Sequence, residues 1–284
     1  MNETEGYLIP HLDKNNIEQV ELLAGSIKAI DATRKVVSIT NDEIKHVTNV
    51  DQVIRLDGLC DDDTFNYFFS LLHSPFEKTM AFMPDQILTS FNVDVWESLR
   101  GFGAMVVPKN RFGFNGEVID SRAYWKGSIE HKSFNQTTNI NAVYYNKAEG
   151  ADELLGFALN LCGSYKQDDA IEWAKVKNND NEDVMLPFFP EFLWQEWVIT
   201  FIRTLNPELI KEFDFIDCID LSIQEMNHWN GVWSRDNWNK FLNYWVTDTP
   251  EIKIENFIQR GLVRYQHTGW LTDENVRLLK GFHG

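Results

Sequence analysis

Apolar residues Ile17, Val20, Leu23, Ile27 and Ile30 recur at three- and four-residue intervals. That spacing lines one face of an α-helix and predicts an amphipathic helix over 16–30. Asn15, with Glu18 three positions on, has the form of a capping box at its start. On either side the pattern shortens to compact apolar runs, residues 7–10 before the helix and 35–39 after it. The second run closes on Thr40-Asn41-Asp42, a turn signal that ends a strand. Residues 50–56 predict a third strand. Asp61, Asp62 and Asp63 open a helix reaching about His73, and 79–83 predicts a fourth strand. The succession strand, helix, strand, strand, helix, strand predicts an α/β fold with a mostly parallel central sheet flanked by helices.

Downstream, Val95, Trp96 and Leu99 mark a helix after Asp85, and 103–107 and 139–145 mark strands. Residues 150–165 and 168–177 read as helices and 177–183 as a loop. Pro187 and Pro190 precede a strong helix at 191–205. The last third carries Trp229, Trp233, Trp238, Trp245 and Trp270. No repeat or linker divides the chain. It reads as one domain over 1–284 with a helical, Trp-rich C-terminal elaboration.

Composition narrows the function. The formal charge is -17, from 43 acidic and 26 basic side chains. A surface this negative repels polyphosphate, and no Lys/Arg cluster counters it, so nucleic-acid binding is disfavoured. Cys60, Cys162 and Cys218 are odd in number and far apart; they fit a reducing compartment and form no zinc motif. No run of 18 apolar residues predicts a membrane span, and MNETEGYLIP lacks the form of a secretory signal. The expectation is a cytoplasmic protein.

In open α/β sheets, ligands sit beyond the carboxyl ends of the strands, at the point where strand order reverses. Asp42 and Asp85 each follow a predicted strand end. Both are therefore expected on one edge of the sheet, at the mouth of a crevice.

Several segments together resemble a known family. They are NNIEQVELLAGSIKAI, VVSITND, VDQVIRLD, the stretch SPFEKTMAFMPDQILTSFNVDVW and, near the end, RYQHTGWLTDE. In this order they resemble the A-type-fold, Rossmann-related glycosyltransferases of tailed bacteriophages. The resemblance implies a nucleotide-sugar-binding half over 1–110 and an acceptor-side half over 111–284. It also implies transfer of a sugar from a nucleotide diphosphate, with Mn²⁺ or Mg²⁺ held by an Asp-x-Asp after the fourth strand. Hard cations of this kind take oxygen ligands and neutralise the leaving diphosphate.

Here that motif reads Met83-Pro84-Asp85, so a thioether replaces the first carboxylate. Upstream, Asn66 matches the family, while Asp63 and Tyr67 stand where it has basic residues; an acid beside a diphosphate repels it. The resemblance thus implies a degenerate metal site and an enzyme that is weakly active or inactive. No cation is firmly assigned, and Mn²⁺ or Mg²⁺ would serve an active form. The alternative is a non-catalytic descendant kept as a structural or virion component. Its partner would be a phage or host protein rather than a nucleotide sugar, in the host cytoplasm or the virion.

Each candidate carries two readings. Asp85 is a metal or diphosphate contact, or a turn residue capping the following helix. Asn41 and Asp42 meet the nucleotide base, as the family's second strand does, or form an ordinary Asn-Asp turn. The acids 61–63 are a displaced metal cluster or dipole partners of a helix start. Glu196 matches a family Asp facing the sugar and would serve as catalytic base, or is a polar residue on an apolar helix. His267 completes the metal site or is structural. The tryptophans form a sugar-stacking platform or pack the core.

Overall fold

The computed structural model describes residues 4–12, 17–41, 43–44, 46–60, 62–88, 91–108, 111–114, 117–120, 140–164, 174–177, 183–186, 195–220 and 261–264. The first half alternates as the hydrophobic pattern predicts. Strand β1 (Glu5–His11) leads to helix α1 (Ile17–Ile30), and β2 (Lys35–Thr40) and β3 (Gln52–Arg55) follow. Helix α2 (Asp63–Leu72) then precedes β4 (Lys78–Phe82). Asp62 caps α2, its carboxylate accepting from the Phe65 N–H at 2.9 Å. This is the N-terminal use of acids expected of the 61–63 run; Asp61 itself lies outside the described residues.

Beyond β4 come β5 (Gln86–Leu88), α3 (Val95–Leu99), β6 (Met105–Pro108) and the hairpin of β7 (Arg111–Phe114) and β8 (Glu117–Asp120). Then follow β9 (Ala142–Asn146), α4 (Ala151–Ser164), β10 (Ala174–Lys177) and β11 (Asp183–Leu186). A 3-10 turn at Lys147–Glu149 precedes α4, and helix α5 (Gln195–Leu205), β12 (Ile210–Phe213), β13 (Asp217–Asp220) and β14 (Gly261–Arg264) complete the described elements.

The central sheet has the order β12-β6-β9-β4-β1-β2-β3. β3, β2, β1 and β4 are mutually parallel, as are β12 and β6, and only β9 runs against its neighbours. The mostly parallel α/β sheet predicted from sequence is present. A second sheet, β13-β14-β5, lies beside it. Strand alternation divides the core. Leu8, Val37, Ile39 and Ala81 meet α2, α4 and α5 on one face; Tyr7, Ile9, Val36, Met80 and Phe82 meet α1 and α3 on the other. Gly6 is required where the ring of Phe76 crosses β1, because a Cβ there would come within 2.3 Å of it. Among the described residues no helix is long and apolar enough to cross a membrane.

Two elements differ from the sequence expectation. Residues 174–177 are not helical; they pair antiparallel with Asp183–Leu186, because Ala174-Lys175-Val176-Lys177 alternates with period two. The helix expected after Asp85 is present as α3, but β5 intervenes directly after Asp85. β5 finds its partner in β14, Leu262 facing Leu88, a pairing invisible to local pattern. Asn15, Pro187, Pro190 and the C-terminal tryptophans lie outside the described residues.

An ion-pair network ties the opposite, amino edge of the sheet. Glu5 takes Arg100 on Oε1 (Nη2 at 2.7 Å) and Arg34 on Oε2 (Nη2 at 3.1 Å), while Arg34 Nη1 reaches Asp31 at 2.8 Å. The Tyr7 hydroxyl also donates to Asp31 at 2.8 Å. Burial alone would raise the Asp31 carboxyl, but hydrogen bonds from Thr33, Arg34 and Tyr7 outweigh it and hold it down at about 2, from 3.8. A carboxylate depressed by folding stabilises fully above its unfolded value and loses that contribution as pH falls through the folded one. Asp31→Asn is therefore expected to flatten the acid limb of stability between about pH 4 and pH 2. Thermal melts across this range check it, and parallel decline of the two proteins would refute it.

Candidate functional site

The order of strands locates the crevice. From β1 the chain moves through α1 to β2 and β3 on one side. It then returns through α2 to β4 on the other side of β1. The order reverses between β1 and β4, so a ligand crevice belongs at their carboxyl ends. β1 ends at His11, in register with Thr40 at the end of β2, and β4 ends at Phe82 just before the Met83-Pro84-Asp85 turn. The strand ends leading to Asn41-Asp42 and to Asp85 thus share one edge, as expected from sequence. Asn41 is exposed there; Asp42 lies outside the described residues.

The turn itself is closed by Gln86. Its side chain is fully buried, and its Oε1 accepts from the Met83 N–H at 3.1 Å. The Gln86 Nε2 is buried with no hydrogen-bond partner among the described residues. Asp85 is half-buried, with its Oδ1 out of solvent. Met83 is partly buried and packs against the cluster containing Leu8, Ala81 and Val143. The residue replacing the expected carboxylate is therefore absorbed into the core face.

A row of polar residues lies on the α1-facing side of the same edge. His11 and Thr40 are buried at the paired ends of β1 and β2, and Ser38, in register with Ile9, is buried behind them. The Ser38 Oγ has no hydrogen-bond partner among the described residues. Asn141, buried at 3%, precedes Ala142, which faces Phe82 at the end of β4. Buried polar atoms lacking partners mark places where water or a ligand is accommodated. Sequence reasoning missed His11 and Ser38. The available signal was a polar residue inside or closing each apolar run.

Asn66 does other work. Its Nδ2 donates to the Cys60 carbonyl at 2.6 Å and its Oδ1 accepts from the Cys60 N–H at 2.9 Å. Both ends of the amide thereby hold the loop ahead of α2. The next residue, Tyr67, is buried against Phe68 within the core, while Asp63 is exposed in the first turn of α2.

No protein-family model matches the chain, and no curated protein matches it by sequence. Solved structures match it across nearly its full length. GlyE, a glycosyltransferase of Streptococcus pneumoniae TIGR4, superposes with a TM-score of 0.53 at 10% identity, covering 99% of this chain and 60% of GlyE. The galactosyltransferase LgtC, solved with donor and acceptor sugar analogs, gives 0.52 at 8% identity, covering 99% of this chain and 95% of LgtC. The bifunctional WbbM gives 0.52 at 8% identity, and the chain spans 50% of its length. The fold is that of the A-type glycosyltransferases.

Within this glycosyltransferase fold the remaining candidates fall as follows. Glu196 is half-buried in the first turn of α5. A short turn, with the Ile210 N–H bonding Asn206 O, joins α5 to β12, and Glu196 lies at the opposite end of the helix from it. His267 lies outside the described residues. β14, three residues before it, sets Arg264 opposite Gln86, so the two chain segments meet beside the Asp85 turn. Among the described residues no group of three or more His, Cys, Asp or Glu is placed to share a metal. Mn²⁺ and Mg²⁺ seek about six oxygen ligands; among the described residues the turn after β4 offers them the carboxylate of Asp85, with Met83 two positions before it.

Proposed function

We propose that this chain is a glycosyltransferase-like protein of tailed-phage type in which metal-dependent sugar transfer is weak or lost. The observation that carries this reading is the fate of Met83. It stands at the motif position where the resemblance calls for a carboxylate, and its partly buried side chain packs against the core cluster on that face of the sheet. A thioether offers nothing to a hard cation, and Asp85 alone would repel a diphosphate rather than bind one through a metal. The carboxyl edge with His11, Ser38, Thr40 and Gln86 is the surface for a nucleotide sugar. Asn41 and Asp42 adjoin the base, and Glu196 lies toward the acceptor side. LgtC, solved with donor and acceptor sugar analogs, supports this class of ligand. The same observation favours a second reading, a non-catalytic protein retained for contact with a phage or host protein.

Thermal melts with Mn²⁺, alone and with uridine or guanosine diphosphate sugars, test the proposal. Mn²⁺ is expected to leave the melting temperature unchanged in every combination, and donor hydrolysis to stay at background. A ligand at about a hundred times its dissociation constant adds roughly 2.7 kcal/mol, readily seen in a melt. A strong shift with Mn²⁺ plus one nucleotide sugar, abolished by Asp85→Ala, would establish an active metal-dependent transferase instead.

A further inference from the structure

Two cysteines that are 102 residues apart in sequence, Cys60 and Cys162, are brought together by the packing of α2 on α4. Lys147, just ahead of α4, donates from Nζ to the carbonyls of Leu72 and Ser74 at 2.9 Å each. The start of α4 is thereby fixed beside the end of α2. Tyr145 repeats the tie, its hydroxyl donating to Leu71 O at 2.7 Å. From there the two helices lie along one another in a shared core, Tyr67, Phe68 and Leu71 of α2 with Leu154, Leu155, Ala158 and Cys162 of α4. At about 1.5 Å per residue, Cys162 stands ~16 Å along α4 from Ala151, and the first residue of α2 stands ~14 Å back from Leu72. The last turn of α4 therefore ends beside the start of α2. Asp62 and Cys60 both lie close enough for their charges to act on the Cys162 thiol.

Cys60 is held in this place by its neighbours, both of its backbone polar groups being clasped by Asn66. Its side chain is exposed, whereas Cys162 is buried. The pair is an accessible thiol and a shielded one at the same end of the α2–α4 pair. We infer that Cys60 and Cys162 form a reversible disulfide that staples the loop ahead of α2 to the last turn of α4.

The oxidant is a low-molecular-weight disulfide such as oxidised glutathione. The Cys60 thiolate attacks one of its sulfurs, forming a mixed disulfide and releasing one glutathione thiolate. Cys162, after losing its proton to solvent, then attacks the Cys60 sulfur and releases the second glutathione. Two protein thiols become one disulfide, and one glutathione disulfide becomes two thiols. Burial, with the charge of Asp62 nearby, pushes the Cys162 thiol up to about 12. Thiolate is therefore scarce at Cys162, and the second exchange is the slow one. The bond closes a loop of about 100 residues, which constrains the unfolded chain strongly, and it fixes the rim of the carboxyl edge where the β3–α2 loop lies.

The test is to incubate the full chain with oxidised glutathione, block remaining thiols, and map peptides without reduction. The expected result is a linked Cys60–Cys162 peptide, loss of two thiols and a melting temperature higher by about 5 °C or more, all reversed by dithiothreitol. Cys60→Ser should abolish the link. Cys162→Ser, or Cys162→Ala if the serine variant does not fold, should halt the reaction at a mixed disulfide on Cys60. Accumulation of that mixed disulfide in the unsubstituted protein with Cys162 still reduced would overturn the inference. So would a bond from Cys60 to Cys218, or the absence of any reaction at Cys60.

Discussion

Trp96→Ala is expected to cost ~3–5 kcal/mol of stability, a large part of what a domain possesses. Trp96 is 1% exposed and meets three partners at once. Its ring stands edge-on to Tyr7 at 5.3 Å and to Tyr144 at 5.9 Å, and the guanidinium of Arg34 lies 4.7 Å from its centroid. Its Nε1 donates to the Tyr7 hydroxyl at 3.2 Å, and that hydroxyl donates to Asp31. The side chain thus locks the short helix α3 onto β1 and β9 and feeds the ion-pair network of the amino edge. Truncation leaves a cavity between three elements and removes the aromatic face beneath Arg34. Trp96→Phe retains most of the volume but neither the N–H nor the larger ring, and about 1 kcal/mol is expected for it. Denaturant midpoints measure both. A cost below about 1 kcal/mol for the alanine variant would show that α3 is anchored elsewhere.

Met83→Asp is expected to destabilise the protein by about 2–4 kcal/mol in the presence of a chelator and, unlike the unsubstituted chain, to gain stability from Mn²⁺. The substitution sets a carboxylate against the apolar cluster that Met83 packs on, where burial disfavours the charged form and raises its pKa. A group raised on folding stabilises least at high pH, so the deficit should shrink as pH falls through the carboxylate range. With Asp85 it would present two oxygen donors at the end of β4, the arrangement a hard cation can use. A saturating cation would then restore roughly 2.7 kcal/mol at a hundred times its dissociation constant, and Asp85→Ala in the same background should remove the response. If the variant is as stable as the parent with chelator present, Met83 is not held by the core. An equal Mn²⁺ response in the unsubstituted protein would mean that Asp85 recruits its ligands without a second carboxylate at position 83.

The elements with a strong local signal are those the sequence determined. The helix at Ile17–Ile30 follows from its apolar spacing, α2 from its capping acid at Asp62, and β1, β2 and β4 from short apolar runs closed by turn residues. Their alternation implies a parallel sheet, and this in turn places the Asp85 turn and the end of β2 on one edge. The hairpin of β7 and β8 had a local signal that went unread above. Phe114 pairs with Glu117 across Asn115-Gly116, the strongest short hairpin signal.

Other features required the tertiary structure. β9 runs against both neighbours, and no residue within it specifies direction, because a strand buried on both faces reads the same either way. β5 pairs with β14 from more than 170 positions away, and local periodicity carries no information about a partner so distant. That the Asn66 amide holds the Cys60 backbone at both ends is likewise visible only in the tertiary structure. Met83 alters the motif in the sequence, but only the tertiary structure shows that its side chain packs against the core cluster. Periodicity reports which side of an element avoids water. What covers that side is decided by the whole chain at once, since each buried polar or apolar group must find its partner among all the others.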